Sequence, residues 1–581
     1  MSSKHPEVLA LVSAIATKVS ESKPELGAQA IGSALYGLQR LSCEALEVRT
    51  LVAALAEKVE LSTDALDAQA IGNALFGLQN MESKYPEVRS LVYAIAKKLV
   101  SLDVPMDSKG IGSALYGLNK MTSEEPQVRA LLAALATSID QSKCVLTGEG
   151  VADALYGLSG MTYDCPELRS LLRALSNRID GQRGKLDAQE IGNALFGLSG
   201  MSSEMPEVRL IVSKLTGKLT RSKAMLRSQH IGRALLGFQR FTADSAEVKQ
   251  LLRQVIARIR ESDRVRMTSQ AIGDALYGLQ GMSSDSDEVQ ELLGELAKKI
   301  ATTAAVLSPR DIGRALFGLQ GLSSSQSLFQ ESAIGLDSDE VQFLLSALWD
   351  KIKVVTAPIP LSTVAMGIQG LTQLRDPIAD NIRQFLYIQA ISMKNQTICD
   401  DTETICDTSE DIQSLSLKGD VIAAVRAMRL NNLLIPRWLA IAYNEIEAVH
   451  STKPVLPQSK GDKMIVSRYS SAHPQIKMRS NDLLDGFRLD MNFPDIKLNI
   501  ELDGPAHGYP ARARFDQLRD NFLRQMKDYE IVRIPLFGQN SKEIIDFIHK
   551  KVTERQDLFA EKEIQKIYAR EEEIQKLYKK Q

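Results

Sequence analysis

Three carboxylates near the end of the chain are placed to do chemistry. The stretch FRLDMNF alternates apolar and polar residues, Pro494-Asp495 reads as a turn, and KLNIELDG follows as a second strand, so the two predict a hairpin. A turn at 494–496 puts Asp490 across from Glu501. Glu501 and Asp503 are two apart on one strand and share a face. Three carboxylates on one side of a sheet can hold Mg²⁺ through oxygen ligands, and such a site can activate water to cleave a phosphodiester. His507, Asp516, Arg519 and Asp520 are candidates to complete it. The plainer role for the same residues is structural: Asp503-Gly504-Pro505 ends a strand in a turn, and Glu501 anchors it.

A second set of candidates lies in a repeat. IGSALYGLQRL from Ile31 returns as IGNALFGLQNM from Ile71, IGSALYGLNKM from Ile111 and VADALYGLSGM from Val151. It continues as IGNALFGLSGM from Ile191, IGRALLGFQRF from Ile231, IGDALYGLQGM from Ile272 and IGRALFGLQGL from Ile312, with a degraded copy, STVAMGIQGL, from Ser362. The period is 40 residues with one step of 41. One position varies inside the constant phrase while staying polar: Ser33, Asn73, Ser113, Asp153, Asn193, Arg233, Asp274, Arg314. Ser, Asn, Asp and Arg offer different donor and acceptor patterns, which is what a modular reader of base edges needs. A second varying position reads Arg40, Asn80, Lys120, Gly160, Gly200, Arg240, Gly281, Gly321. Its basic members, Arg40, Lys120 and Arg240, together with Arg233 and Arg314, are candidate phosphate contacts. Free drift of solvent positions is the competing explanation for both.

Two helices per unit must carry these residues. In the second copy Asp67 caps a helix predicted through about Asn80, with Ile71, Ala74, Leu75 and Leu78 at i, i+3, i+4, i+7. Pro86 opens the second helix at a position that needs no N–H, and Glu87 suits the helix dipole. Val88, Leu91, Val92, Ile95 and Leu99 form its apolar stripe. Neither helix buries its stripe alone, so the units stack into an α-solenoid. Two glycines in the first helix, such as Gly72 and Gly77, each cost about 0.5–1 kcal/mol against Ala. Their recurrence demands close approach, either of a neighbouring helix or of a ligand backbone.

The fold class is therefore an α-solenoid of about 40-residue two-helix repeats, followed by a small α/β domain of order β-β-α-β-α. The array spans 1–375 in eight or nine units, interrupted by a Ser-rich insert at 323–335. A helical region with linkers covers 376–462, the α/β domain 463–552, and a charged helical tail with E-I-Q-K-[IL]-Y repeated at Glu563 and Glu573 covers 553–581. The chain opens at His5-Pro6-Glu7-Val8, the start of a second helix, so we expect an array truncated at its start.

Composition narrows the function. Lys+Arg number 70 against Asp+Glu 72, so any nucleic-acid surface is local, not a whole-chain field. Five cysteines are too few and too scattered for a disulfide framework, and Cys399 and Cys406 have no nearby His to build a zinc site. No apolar run approaches the ~20 residues of a membrane span. The first residues show neither a secretory nor a transit segment.

The repeat resembles the octotricopeptide-type repeats of organelle RNA-binding proteins over roughly residues 24–375, in its period and its Ala-Leu-Tyr/Phe-Gly-Leu core. HEAT and armadillo-like arrays have similar periods and bind proteins. Ile500-Glu501-Leu502-Asp503-Gly504-Pro505-Ala506-His507, followed by Tyr529-Glu530-Ile531-Val532-Arg533-Ile534-Pro535, resembles the RAP domain over about 482–552. That resemblance implies a restriction-endonuclease-like fold, similar to very short patch repair nucleases, and a role on organelle RNA at the end of a helical-repeat protein. The nuclease motif's Glu-x-Lys is here Glu501-Leu502-Asp503, and Lys497 lies four before Glu501, out of register for a swap.

The expectation is an RNA-binding protein of mitochondrial or chloroplast RNA metabolism. Its partner is single-stranded RNA, mRNA or rRNA, with other RNA-processing proteins as further partners and no membrane. Binding requires no cofactor. A guided endoribonuclease is the first alternative, with Asp490, Glu501, Asp503, His507 and Asp520 catalytic and Asp490, Glu501 and Asp503 holding Mg²⁺. A protein-binding scaffold is the second.

Overall fold

The computed structural model describes residues 5–22, 25–100, 105–322, 338–392, 415–452, 460–503, 510–536 and 540–578. The chain divides into two compact units. The first is Met1–Ile359 with Gln373–Leu386 and Tyr509–Ala511; the second is Pro360–Thr372 with Tyr387–Gly508 and Arg512–Gln581.

In the first unit the repeat is a helix pair. The shorter helices are α2 (Ala28–Tyr36), α4 (Ala68–Phe76), α6 (Ser108–Tyr116), α8 (Gly148–Gly157), α10 (Ala188–Phe196), α12 (Ser228–Leu236), α14 (Ser269–Tyr277) and α16 (Pro309–Phe317). The longer ones are α1 (Pro6–Glu21), α3 (Leu46–Leu61), α5 (Pro86–Val100), α7 (Pro126–Gln141), α9 (Pro166–Arg178), α11 (Pro206–Arg221), α13 (Ala246–Glu261), α15 (Asp287–Thr302) and α17 (Asp339–Ile352). Each short helix packs on the next short helix, and each long helix on the next long one, giving two layers. The apolar stripes of α4 and α5, including Ile71, Leu75, Val88, Leu91 and Ile95, are fully buried between them.

Local chemistry sets the helix ends. Asp67 accepts from the Ala70 N–H at 2.7 Å, and Asp187 and Glu190 form a reciprocal capping box. Pro126, Pro166 and Pro206 occupy the first turn of their helices. The short helix ends at Phe76, four residues before the expected Asn80. The chain tightens there through i→i−3 bonds, Leu78 N–H to Leu75 C=O at 2.9 Å and Met81 N–H to Leu78 C=O at 2.8 Å, which turn Leu78 into the core. At the far end of the long helices a cation reaches back to the preceding unit. Lys218 donates to the Arg183 carbonyl at 2.9 Å, Lys299 to Ser262 at 2.8 Å and Lys351 to Thr303 at 2.6 Å. Lys58, Lys98 and Arg258 do the same to Ser22, Ser62 and Ser222. Apart from Arg183, in the loop after α9, these carbonyls cap the preceding long helix, where orphan carbonyls and the negative pole lie.

The second glycine of the phrase answers the close-approach question in favour of a neighbouring helix. A Cβ on Gly117 would stand 2.5 Å from the Leu75 carbonyl carbon and closer still to its oxygen; Gly77 meets Leu35 in the same way.

The second unit begins with α18 (Leu361–Gly370), the degraded ninth copy, which packs on α20 (Leu415–Leu430). Helix α19 (Pro377–Ser392) follows α18 in the chain and sets Phe385 edge-on to Trp349 at 5.8 Å within the first unit. Helices α21 (Arg437–Thr452) and α22 (Lys460–Ala472) lead into strands β1 (Arg479–Leu484), β2 (Phe487–Phe493), β3 (Leu498–Asp503) and β4 (Glu530–Pro535). The sheet order is β1-β2-β3-β4; the first three are antiparallel, and β3 and β4 are parallel across helix α23 (Pro510–Lys527). The expected hairpin turn is there, at Pro494–Ile496. Strand β1 was not foreseen. One face of the sheet is apolar: Leu498, Ile500, Leu502, Met491, Phe493 and Ile534 pack with Tyr469 of α22 and with Ile544, Ile548 and Val552 of helix α24 (Ser541–Tyr578). Helix α24 runs unbroken from Ser541 to Tyr578, so the expected separate tail is its continuation. Among the described residues no helix is long and apolar enough to cross a membrane. Cys43, Cys144 and Cys165 are free thiols. Cys399, Cys406 and the Ser-rich insert lie outside the described residues.

Alanine at Gly117 forces two backbones apart, whereas Gly37, at the C-cap of the first short helix, has open space around its Cβ position. Gly117→Ala is expected to destabilise the array by about 1–3 kcal/mol. Gly37→Ala is expected to be neutral or to stabilise by up to about 1 kcal/mol. Paired urea titrations read both; equal effects would defeat the backbone-contact explanation.

Candidate nucleic-acid interface and carboxylate cluster

The first varying position lies along one row of the short helices. Ser33 and Arg233 are exposed; Asn73, Ser113, Asp153, Asn193, Asp274 and Arg314 are half-buried. Neighbours in the row touch: Arg233 donates to Asn193 Oδ1 at 2.8 Å, and Arg314 pairs with Asp274 at 2.6 Å. In the degraded copy the counterpart Thr363 is buried.

Three residues on, and on the same helix face, a second row went unrecognised in the sequence. Tyr36, Phe76, Tyr116 and Tyr156 stack in succession with ring centroids 5.8, 5.6 and 5.1 Å apart; Phe196 follows, tilted, at 5.7 Å. Tyr277 and Phe317 resume the ladder at 5.7 Å. The repeated Tyr/Phe of the Ala-Leu-Tyr/Phe-Gly-Leu phrase was the available signal. Leu236 interrupts it, and there the Arg233 guanidinium lies 5.6 Å from both the Tyr156 and Phe196 rings. Arg314 lies 4.9 Å over Tyr277. Rings stacked on one another keep no free face between them. A ligand along this row therefore meets ring edges, phenol hydroxyls and the varying side chains.

Burial raises two carboxyls in this row, Asp274 against the pull of Arg314, and the larger shift is that of Asp153. Burial first, then Glu149 and Glu190, push its carboxyl up to about 6.

The second varying position divides. Arg40 and Lys120 are exposed. Asn80 Nδ2 donates to the Gln39 carbonyl at 2.7 Å, and Arg240 Nη1 to the Gly200 carbonyl at 2.7 Å and the Thr162 carbonyl at 3.3 Å. Where the residue is glycine, a Cβ would crowd the preceding turn: 2.6 Å from Phe241 O at Gly281 and 2.8 Å from Ser159 O at Gly200. This position faces the preceding unit's turn, and Arg240 braces backbone there. The arginine of Pro-Glu-Val-Arg is also committed: Arg89 donates to the Ser83 and Lys84 carbonyls at 2.9 and 2.8 Å, and Arg209 to those of Ser203 and Glu204.

In the second unit the expected carboxylates do gather. The pairing of Met491 with Ile500 sets Asp490 level with Glu501, and Asp490 accepts from the Leu502 N–H at 2.9 Å. Glu501 accepts from the Asn499 amide and pairs with Arg519 at 3.0 Å, all three buried. Arg519 also holds Asp520 Oδ1 through Nε at 3.1 Å and Nη2 at 3.0 Å. Arg533 stands beside Glu501 in the parallel register. It donates to Asp520 Oδ2 at 2.9 Å and to both Asp503 oxygens at 2.8 and 3.1 Å, and it approaches Asp516 at 3.5 Å. Burial works against both guanidinium charges, but the surrounding carboxylates outweigh it and hold both arginines above their usual range.

Two guanidinium groups thus stand where a cation would, so the donor set does not fit a resident Mg²⁺. Among the described residues no three His, Cys, Asp or Glu side chains converge as a metal-holding group. Lys497 takes the left-handed conformation, φ 48°, with its ammonium 4.0 Å from Asp528. His507 lies outside the described residues.

No family model and no curated protein matches the chain. Among solved structures it is similar to a homology model of the full-length AP-3 complex in an intermediate open conformation. The two share 13% identity over 81% of this chain and 73% of that chain, with a TM-score of 0.32.

Two outcomes follow from the electrostatics. Because folding raises the Asp153 pKa, the neutral carboxyl is the favoured form. The stability it contributes is whole below about pH 4 and lost as pH rises through about 6. Asp153→Asn is expected to exceed the parent by about 1–2 kcal/mol above pH 7, discounted for partial exposure, and to match it below pH 4. Denaturant midpoints across pH 4–8 check this, and a pH-independent difference would refute it. Glu501→Ala leaves a buried guanidinium short of a partner and is expected to cost the C-terminal unit about 3–5 kcal/mol, read by calorimetry.

Proposed function

We propose that the chain binds single-stranded RNA along the row of varying side chains, at about one base per unit, hence on the order of eight nucleotides. The observation that carries this reading is the row itself. A near-constant scaffold changes its chemistry at one surface position per unit and keeps that position in line with the next. Exposed Arg40 and Lys120 supply phosphate contacts; they are few, so the salt dependence is modest.

The C-terminal unit is proposed to be of the RAP type with a restriction-endonuclease-like fold, a reading supported by the carboxylates on one face of its sheet. Its role in this proposal is to hold RNA, not to cleave it, because the carboxylates are neutralised by Arg519 and Arg533. By the same resemblance the RNA is a mitochondrial or chloroplast transcript whose processing, stability or translation is served, alongside other RNA-processing proteins.

Crosslinking the protein in cells and sequencing the bound RNA is expected to return a short common element. Exchanging Asn73 for Ser, or Asn193 for Asp, is expected to move preference at one base by about 1–2 kcal/mol, near tenfold, in filter binding. RNA-free crosslinks with a protein bound to the array would overturn the proposal in favour of a scaffold. Mg²⁺-dependent cleavage abolished by Glu501→Ala would favour a guided endoribonuclease.

A further inference from the structure

A group of arginines in the second unit contrasts with the neutralised pair. Arg426, on α20, is wedged against the β1–β2 turn. Gly486 there has φ 82°, and a Cβ on it would lie 2.9 Å from the Arg426 Cβ and backbone nitrogen. The Arg426 guanidinium lies 4.9 Å from the Phe515 ring centroid, and Arg512, one turn earlier on α23, lies 5.8 Å from the same ring. Arg426 Nη2 has a long bond to Gln369 Oε1 at 3.4 Å, while its Nε is buried without a hydrogen-bond partner. Among the described residues no carboxylate pairs with Arg426 or with half-buried Arg488. Arg512 is half-exposed at the rim and shares Asp516 at 3.4 Å.

The charges bear on one another. Burial, then Arg512, Arg488 and Arg519, push Arg426 down to about 10, and burial pushes Arg488 down. This is the opposite of Arg519 and Arg533, which carboxylates push up. Buried cations that lack a counter-charge are costly, and a bound anion offsets that cost. Guanidinium forks match phosphate oxygens, and the aromatic ring fixes their planes.

We propose that Arg426 and Arg512, which meet the same Phe515 ring, together with Arg488, two residues beyond Gly486 on β2, form a binding site for a phosphate group. Only the identification of its source as RNA rests on the function proposed above.

The test uses the full chain. Inorganic phosphate is expected to raise the melting temperature by several degrees over chloride at matched ionic strength. Arg512→Gln and Arg488→Gln should each remove half or more of that rise. Arg426→Met disturbs packing against Gly486, so the two outer variants carry the test without it. No phosphate-specific rise, or a rise that both variants leave intact, overturns the site.

Single-stranded RNA decamers with a 5′-phosphate or a 5′-hydroxyl identify the source. At least fivefold tighter binding of the phosphorylated strand, lost in Arg512→Gln, identifies a terminal monoester. Equal binding of both strands, weakened by the same variant, identifies a backbone diester. RNA binding without a phosphate response overturns the site alone. A phosphate response without RNA binding supports the site and overturns the RNA reading.

Discussion

The structure depends on a contact between backbones. Where the carbonyl of Leu75 meets Gly117, no side chain fits, and the same meeting recurs from Leu35 and Gly77 onward. This sets how closely one short helix lies on the next. The spacing in turn decides that rings three residues after the varying position stack at 5.1–5.8 Å and that Arg233 and Arg314 can reach back to Asn193 and Asp274. Glycine costs less here than in a helix interior, because the helix already ends at Phe76 and the glycine sits at its cap. A constant glycine and a varying neighbour are therefore parts of one arrangement: the first holds the repeat spacing, which leaves the second free to change.

Charge in the array is used first for structure. The basic residues at the ends of the long helices satisfy carbonyls of the preceding unit, and the arginines of Pro-Glu-Val-Arg satisfy carbonyls of their own connector. A count of Lys and Arg consequently overstates the number of side chains left to contact a polyanion directly. Affinity for RNA along the row would come mostly from polar side chains and aromatic edges, which favours selectivity over strength.

Much of this was legible in residue order. The period, the Asp67 cap, the prolines opening the long helices and the turn at 494–496 all follow from local chemistry, and local chemistry is what a sequence displays. The alignment of Asp490 with Glu501 followed from that turn. The neutralisation of the carboxylates did not. Arg533 lies thirty residues beyond Asp503, and only the parallel pairing of β3 with β4 brings them together. Strand β1, RSNDLL, has too little alternation to announce itself. The alternation of Arg240 with glycine at equivalent positions resembled drift until the facing carbonyls of the preceding unit supplied a reason.

Helix α23 joins the two kinds of arginine site. Arg512, Asp516, Arg519 and Asp520 follow one another at helical spacing, so one stripe carries basic, acidic, basic and acidic groups in turn. Its C-terminal part is matched by Glu501 and Arg533, and the charges there cancel. Its N-terminal part faces Arg426, and they do not. A cation in the first turn of a helix works against the dipole by about 0.3–1 kcal/mol. Arg512 sits there nonetheless, beside a second arginine on the same ring. Asp516 and the Phe515 ring offset part of that cost. An anion at this end of the helix would meet the dipole and both guanidinium groups with one sign of charge, and would turn a local penalty into a binding energy.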